Sequence, residues 1–193
     1  MGKEFELKYA ATPEILAAVS REFPDITRIS METTYYDTPT GDFSSRHMTL
    51  RRRFENGISV CTLKAPDSPN SRKEWEVEAP SIEAALPVLC KLSNWPELTV
   101  LAEKGLVTVC GARFLRQAAT VTLPDCVLEI ALDQGVLLAG SREVPLCELE
   151  VELKSGSEAA ATRFAGVLAA QYNLRREPKS KFARAKELSA QTQ

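Results

Sequence analysis

Glu4, Glu6 and Lys8 in the opening stretch "KEFELKYA" fall on alternate positions, with Phe5, Leu7 and Tyr9 between them. In an extended chain this puts two acids and a base on one face and three large apolar side chains on the other. The arrangement recurs. Arg51 and Arg53 share a face in "LRRRF", Thr62 and Lys64 oppose Cys61 and Leu63 in "CTLKA", and Arg72, Glu74, Glu76 and Glu78 oppose Trp75 and Val77 in "RKEWEVE". "LEIALD" sets Glu129 and Asp133 on one side, and "CELEVELK" sets Glu148, Glu150 and Glu152 against Leu149, Val151 and Leu153. Arg113 and Arg116 in "GARFLRQ" differ in parity, so only one of them faces inward unless a bulge intervenes. Carboxylates with no imidazole or thiolate in reach suit hard divalent cations such as Mg²⁺, Mn²⁺ or Ca²⁺. Rows of arginine and lysine suit an anion with many oxygens, and a guanidinium fork matches phosphate. Acids for metal and bases for phosphate in one cavity describe a polyphosphate site. No glycine-rich phosphate loop competes with that reading.

Such rows need a surface to share. Same-face neighbours on a strand are about 7 Å apart, and like charges directly opposed across strands destabilise a sheet. Charges segregated by sign therefore fit a lumen better than a solvated outer face, and the apolar opposite face of nearly every strand puts the core outside that lumen. The fold class expected is α+β: an eight-stranded antiparallel closed β-barrel with a polar, charged lumen and helices packed outside, one domain over residues 1–193. Strands are expected over 2–9, 28–38, 46–55, 57–65, 73–80, 107–123, 126–138 and 146–154, and helices over 13–22, 81–92, 97–104, 157–172 and from about 180. Asn56-Gly57 is a hairpin signal. Thr12-Pro13 and Ser81 are helix starts, Pro87 is expected to kink or split its helix, and "PDSPNS" (66–71) is expected to be a polar, mobile loop.

The bulk numbers narrow the class. Of 193 residues 26% are charged, yet the net charge is only −2, unlike a general nucleic-acid or membrane binder. "MGKEFELK" has no apolar signal region, and the longest apolar run, 84–90, is too short to span a bilayer. Cys61, Cys90, Cys110, Cys126 and Cys147 are odd in number and form no C-x-x-C pair, and His47 is the one histidine, so neither thiolate nor multi-histidine metal sites are expected. Cytoplasmic location follows as the expectation, with no nucleic-acid or membrane partner and a monomeric or homodimeric state.

The order of these segments resembles the CYTH domain, or triphosphate tunnel metalloenzyme, family. "EFELK" matches its E-x-E-x-K signature, "YYDTPTGDF" its Y-[FY]-D-T segment, and "HMTLRRRFENG" its L-R-x-R strand and hairpin. "CTLKAP", "SRKEWEVE", "LEIALDQG", "CELEVELKSG" and "SKFARA" follow colinearly with the family's later motifs, over almost the whole chain. The resemblance implies a tunnel that binds a triphosphate with one or two divalent cations, Mg²⁺ or Mn²⁺. It implies Glu4, Glu6 and two of Glu148, Glu150 and Glu152 as metal ligands, with Lys8 beside them to touch the terminal phosphate or to orient the attacking water. Lys8, Arg51, Arg53, Lys64, Arg72, Arg113, Arg116, Lys181 and Arg184 would bind phosphate, and Glu74, Glu76, Glu129 and Asp133 would support them. Lys181 and Arg184 lie three apart and, on a helix, close one mouth.

The family hosts inorganic triphosphatases, thiamine triphosphatases, class IV adenylate cyclases and RNA triphosphatases. Only 7% of residues are aromatic, with Trp75 on the outward parity and Tyr35 one of few that face inward, so the lumen offers little surface for a base. Inorganic tripolyphosphate is the expected substrate. A cyclase, a thiamine triphosphatase and a non-catalytic polyphosphate or nucleotide sensor are the alternatives.

Overall fold

The computed structural model describes residues 2–68 and 71–190. Eight antiparallel strands form its sheet: β1 (Gly2–Ala10), β2 (Thr27–Asp37), β3 (Thr49–Glu55), β4 (Ile58–Ser68), β5 (Ser71–Glu78), β6 (Val107–Leu123), β7 (Cys126–Ala139) and β8 (Arg142–Gly156). Their order is β5-β4-β3-β2-β6-β7-β8-β1, and β1 pairs back onto β5, with Glu4 opposite Arg72, to close the barrel. A two-residue strand, β9 (Arg175–Arg176), adds to β1 at Tyr9 and Ala10. The helices are α1 (Pro13–Ser20), α2 (Asp42–Ser45), α3 (Ile82–Ser93), α4 (Glu97–Glu103), α5 (Glu158–Gln171) and α6 (Lys181–Ala190). No helix among the described residues is long and apolar enough to cross a membrane.

Local chemistry accounts for the joints. Glu55 pairs with Ile58 across Asn56 and Gly57, whose φ values of 50° and 89° are the two left-handed positions of a tight hairpin turn. Thr12, Ser81 and Ser157 each accept a backbone N–H from the first turn of α1, α3 and α5. Pro87 does not split α3, whose Ile82, Ala85, Leu86 and Leu89 hold one face against the barrel. Strand β3 begins at Thr49 rather than at 46, because the buried Asp37 carboxylate accepts from the N–H groups of Phe43 and Ser44 and fixes the short helix α2. The "PDSPNS" loop is shorter than expected: Ser68 pairs with Ser71, and Pro69 and Asn70 lie outside the described residues.

Two apolar clusters wrap the outside. Leu7, Leu128, Ile130, Leu149 and Val151 pack against α1 and α5, and Leu50, Leu63 and Trp75 pack against α3 and α4. The third is inside. Cys110, Ala112 and Phe114 share the face of Arg116, and Leu137 shares that of Asp133. This apolar end of the lumen is filled by Phe182 and Ala185 of α6. The helix thus caps one end of the barrel, and the other end opens into a charged cavity.

Candidate triphosphate site in the barrel lumen

The cavity measures about 770 Å³ and is lined by nine carboxylates and ten lysines or arginines. With signs so nearly balanced, a polyphosphate entering alone upsets the charge more than one that enters with a metal ion. The acids come from β1, β3, β5, β7, β8 and the segment before α6, and the bases from β1, β3, β4, β5, β6, β8, β9, the segment before α6 and α6 itself.

Geometry sorts the expected residues. Glu4, Glu6, Lys8, Arg51, Arg53, Lys64, Arg72, Glu74, Glu76, Arg116, Glu129, Glu150, Glu152 and Lys181 all line the cavity. Lys64 Nζ stands 2.5 Å from Glu4 Oε1 and 3.1 Å from Glu74, and Lys8 Nζ is 2.7 Å from Glu6 Oε1. Burial would lower the Lys8 pKa, but the Glu6 and Glu150 carboxylates outweigh it, so Lys8 is held above its ordinary value as an ammonium. Arg51 reaches Glu74 at 3.4 Å and Glu76 at 3.7 Å. The Nε atoms of Arg51, Arg53 and Arg72 are buried without a hydrogen-bond acceptor. Burial, together with the like charges of Arg51 and Arg116, pulls Arg53 below its ordinary value. A buried guanidinium so placed is stabilised by an incoming anion.

Other expected residues lie elsewhere. Arg113 falls on the outward parity: its side chain is 57% exposed and pairs with Glu143 at 2.9 Å. It is not a lumen base, since the register places Arg116, not Arg113, opposite Asp133. Asp133 and Glu148 are 0% exposed and lie behind the cavity wall. Together with Glu150 they bring carboxylate oxygens within 4.8 Å of one another, a spacing that could hold a metal ion. The chain's own cations already fill that role. Arg116 is 2.7 Å from Asp133 and 2.5 Å from Glu150, Lys181 is 2.7 Å from Asp133 and 2.9 Å from Glu150, and both Lys181 and Arg184 pair with Glu148. Glu148 is thus removed from the accessible acids, and Arg184, turned to Glu148 and to Glu177 at 3.7 Å, does not line the cavity.

Three acids and three bases balance in this cluster, which seats α6. Burial raises Glu148 to about 7, against the pull of Lys181 and Arg184. Burial acts the same way on Glu150, but there Lys181, Arg116 and Lys8 prevail and hold it well below the usual carboxylate range.

Lys154, His47 and Arg176 also line the cavity. Lys154 continues the row of Glu148, Glu150 and Glu152 at the same parity, so alternation alone could have found it. His47 lines the cavity with φ 56°, and its carbonyl accepts from Arg72 Nη2 at 2.7 Å. Arg176 of β9 does so from a two-residue strand without a pattern to read.

An inorganic triphosphatase of Haemophilus influenzae is 31% identical over 166 residues, 81% of this chain and 47% of that protein. The chain therefore spans about half the length of this curated relative. A Hippeastrum protein studied as an adenylyl cyclase and described as having a dominant triphosphatase activity superposes with a TM-score of 0.68 at 20% identity, covering 97% of this chain and 96% of that one. A Pyrococcus horikoshii protein gives 0.65 at 24% identity, covering 96% and 99%. At these identities the superpositions establish a shared fold. The CYTH domain family model matches residues 2–185, a span that takes in all eight barrel strands and reaches into α6, and the chain belongs to that family.

Proposed function

We propose that this CYTH domain hydrolyses a triphosphate with the help of a divalent cation, Mg²⁺ or Mn²⁺, and that its substrate is inorganic tripolyphosphate, cleaved to pyrophosphate and phosphate. The observation that carries the reading is the set of Arg51, Arg53 and Arg72, whose buried Nε donors are unpartnered, in the same cavity as the Glu4 and Glu6 carboxylates. The relative named an inorganic triphosphatase supports it. Five free cysteines suit a reducing cytoplasm, where we place the protein.

The donor set facing the cavity is oxygen-only on its acidic side, which fits Mg²⁺ or Mn²⁺. Glu4 and Glu6, flanked by Glu150 and Glu152, would hold the ion. Once bound, it supplies charge neutralisation at the phosphate oxygens and acidifies a coordinated water. Arg51, Arg53, Arg72 and Arg116 grip the phosphate chain, where charge spreads over several oxygens as the phosphoryl group transfers. Lys8, kept protonated by its carboxylate neighbours, donates to the terminal phosphoryl group rather than taking a proton. Glu74 and Glu76 hold Arg51 in place.

Tyr35 and Phe182 lie against each other, ring centroids 5.2 Å apart, and both are buried. With both rings buried, the lumen has little exposed aromatic surface for a nucleobase or a thiazolium, which favours the inorganic substrate over ATP or thiamine triphosphate. ³¹P NMR of the reaction tests this reading. Equal amounts of pyrophosphate and phosphate from tripolyphosphate are expected; cyclic AMP and pyrophosphate from ATP, with tripolyphosphate untouched, would make the protein a cyclase.

A further inference from the structure

We propose that the Lys154 ammonium takes the place of a second divalent cation between Glu129 and Glu152, so that the tunnel loads a single metal ion, at Glu4 and Glu6. The inference rests on the triphosphatase reading for the existence of that first ion.

Glu129 and Glu152 are direct partners across β7 and β8, and both point into the lumen. Two carboxylates so opposed repel unless a cation lies between them. In many cavities built from acids that cation is a metal. Here Lys154 Nζ lies 2.9 Å from Glu152 Oε1 and 3.5 Å from Glu129 Oε1, and Arg116 stands 4.0 Å from Glu129 on its other side.

The backbone is shaped for this. The β7–β8 register slips between Val127 and Leu128, whose partners are Ser155 and Leu153, so Lys154 is the extra residue of a β-bulge. A bulge bends its strand and re-aims the side chain it carries. Gly156, two residues on, has φ 96°, and a Cβ there would come within 2.3 Å of the Asp125 carbonyl, so the strand end is held close against β7.

Lys8 and Lys64 also touch acids, yet they differ from Lys154. Lys8 meets Glu6 alone, and Lys64 spans Glu4 and Glu74, which are not direct partners, since Glu4 lies opposite Arg72 and Glu74 opposite Gly2. Lys154 is paired with the two facing acids alone, and its departure would restore their repulsion.

The test is the number of Mn²⁺ ions bound per chain, read from the loss of the free-ion EPR signal, in wild type, Lys154→Gln and Lys154→Arg. One ion is expected for wild type and for Lys154→Arg, which keeps the charge, and two for Lys154→Gln. Adding Glu4→Gln to Lys154→Gln should return the count to one. Two ions in wild type, one in Lys154→Gln, or two in Lys154→Arg would each overturn the proposal. Phosphate release from tripolyphosphate by the same samples separates the failures. Metal-dependent release with a count of two in wild type sinks only the role of Lys154, whereas no bound Mn²⁺ and no release in wild type sinks the triphosphatase reading beneath it.

Discussion

Lys64 Nζ lies 2.5 Å from Glu4 Oε1, joining β4 to β1 across the seam where the barrel closes. The same ammonium is 3.1 Å from Glu74 on β5, so one base holds an acid from each of the two strands that meet at the closure. Removing a partner from a buried ion pair leaves an uncompensated charge. Lys64→Met is expected to cost about 3 kcal/mol of stability in urea melts. Mg²⁺ should recover part of that loss, because a cation at Glu4 replaces the missing one. A loss that Mg²⁺ leaves unchanged would separate Glu4 from metal binding.

Arg53 and Arg113 make a matched contrast. Arg53 lines the cavity with a buried, unpartnered Nε, whereas Arg113 is on the outer surface with Glu143. Arg53→Ala should lower kcat/KM for tripolyphosphate by roughly 100-fold. Arg113→Ala should stay within about twofold of wild type, the ordinary result for an exposed ion pair. Equal losses from the two variants would contradict the register that points Arg116 inward.

The cluster beneath α6 gives stability a definite pH dependence. Glu148 has an ordinary value of 4.5 and is raised to about 7 by burial. Between those values the unfolded chain has released a proton that the folded protein keeps, so the Glu148 contribution to stability falls as pH rises across that window. Glu150 runs the other way: its depressed value gives stability that is present above 4.5 and lost on further acidification. Urea melts from pH 4 to 8 should show the decline between pH 5 and 7 flatten in Glu148→Gln. An unchanged slope would mean that Glu148 is ionised throughout.

Gly135 sits opposite Phe114 where β6 and β7 approach closely. A Cβ on it would lie 2.1 Å from the Arg113 carbonyl oxygen and 2.5 Å from Phe114 Cα, both backbone atoms that cannot swing away. Gly135→Ala is expected to destabilise by on the order of 3 kcal/mol. It should also disturb Phe114, over whose ring Lys181 lies at 5.0 Å. Thermal melts with phosphate release measured in parallel would show both effects.

Much of this was legible because a barrel strand repeats every two residues: alternation at Glu4–Lys8, Arg51–Arg53 and Glu148–Glu152 identified the lumen face before any contact was known. Alternation says which way a side chain points, not what waits there. Glu148 points inward as expected but is covered by Lys181 and Arg184, more than thirty residues further along the chain. Arg113 and Arg116 could not be separated by parity until the pairing with β7 fixed the register. The bulge that leaves Lys154 without a cross-strand partner shows in no local pattern, and α2 depends on a carboxylate at Asp37 that reads as a turn residue before Thr38-Pro39. Tertiary partners, not local pattern, decided each of these.

The most direct measurement is phosphate release from tripolyphosphate, ATP and thiamine triphosphate side by side, with Mg²⁺ or Mn²⁺, by wild type and Glu4→Gln. Rapid metal-dependent release from tripolyphosphate that Glu4→Gln loses is the predicted result. No release from any of the three, by a protein that still binds them, would contradict hydrolysis and leave a binding domain in its place.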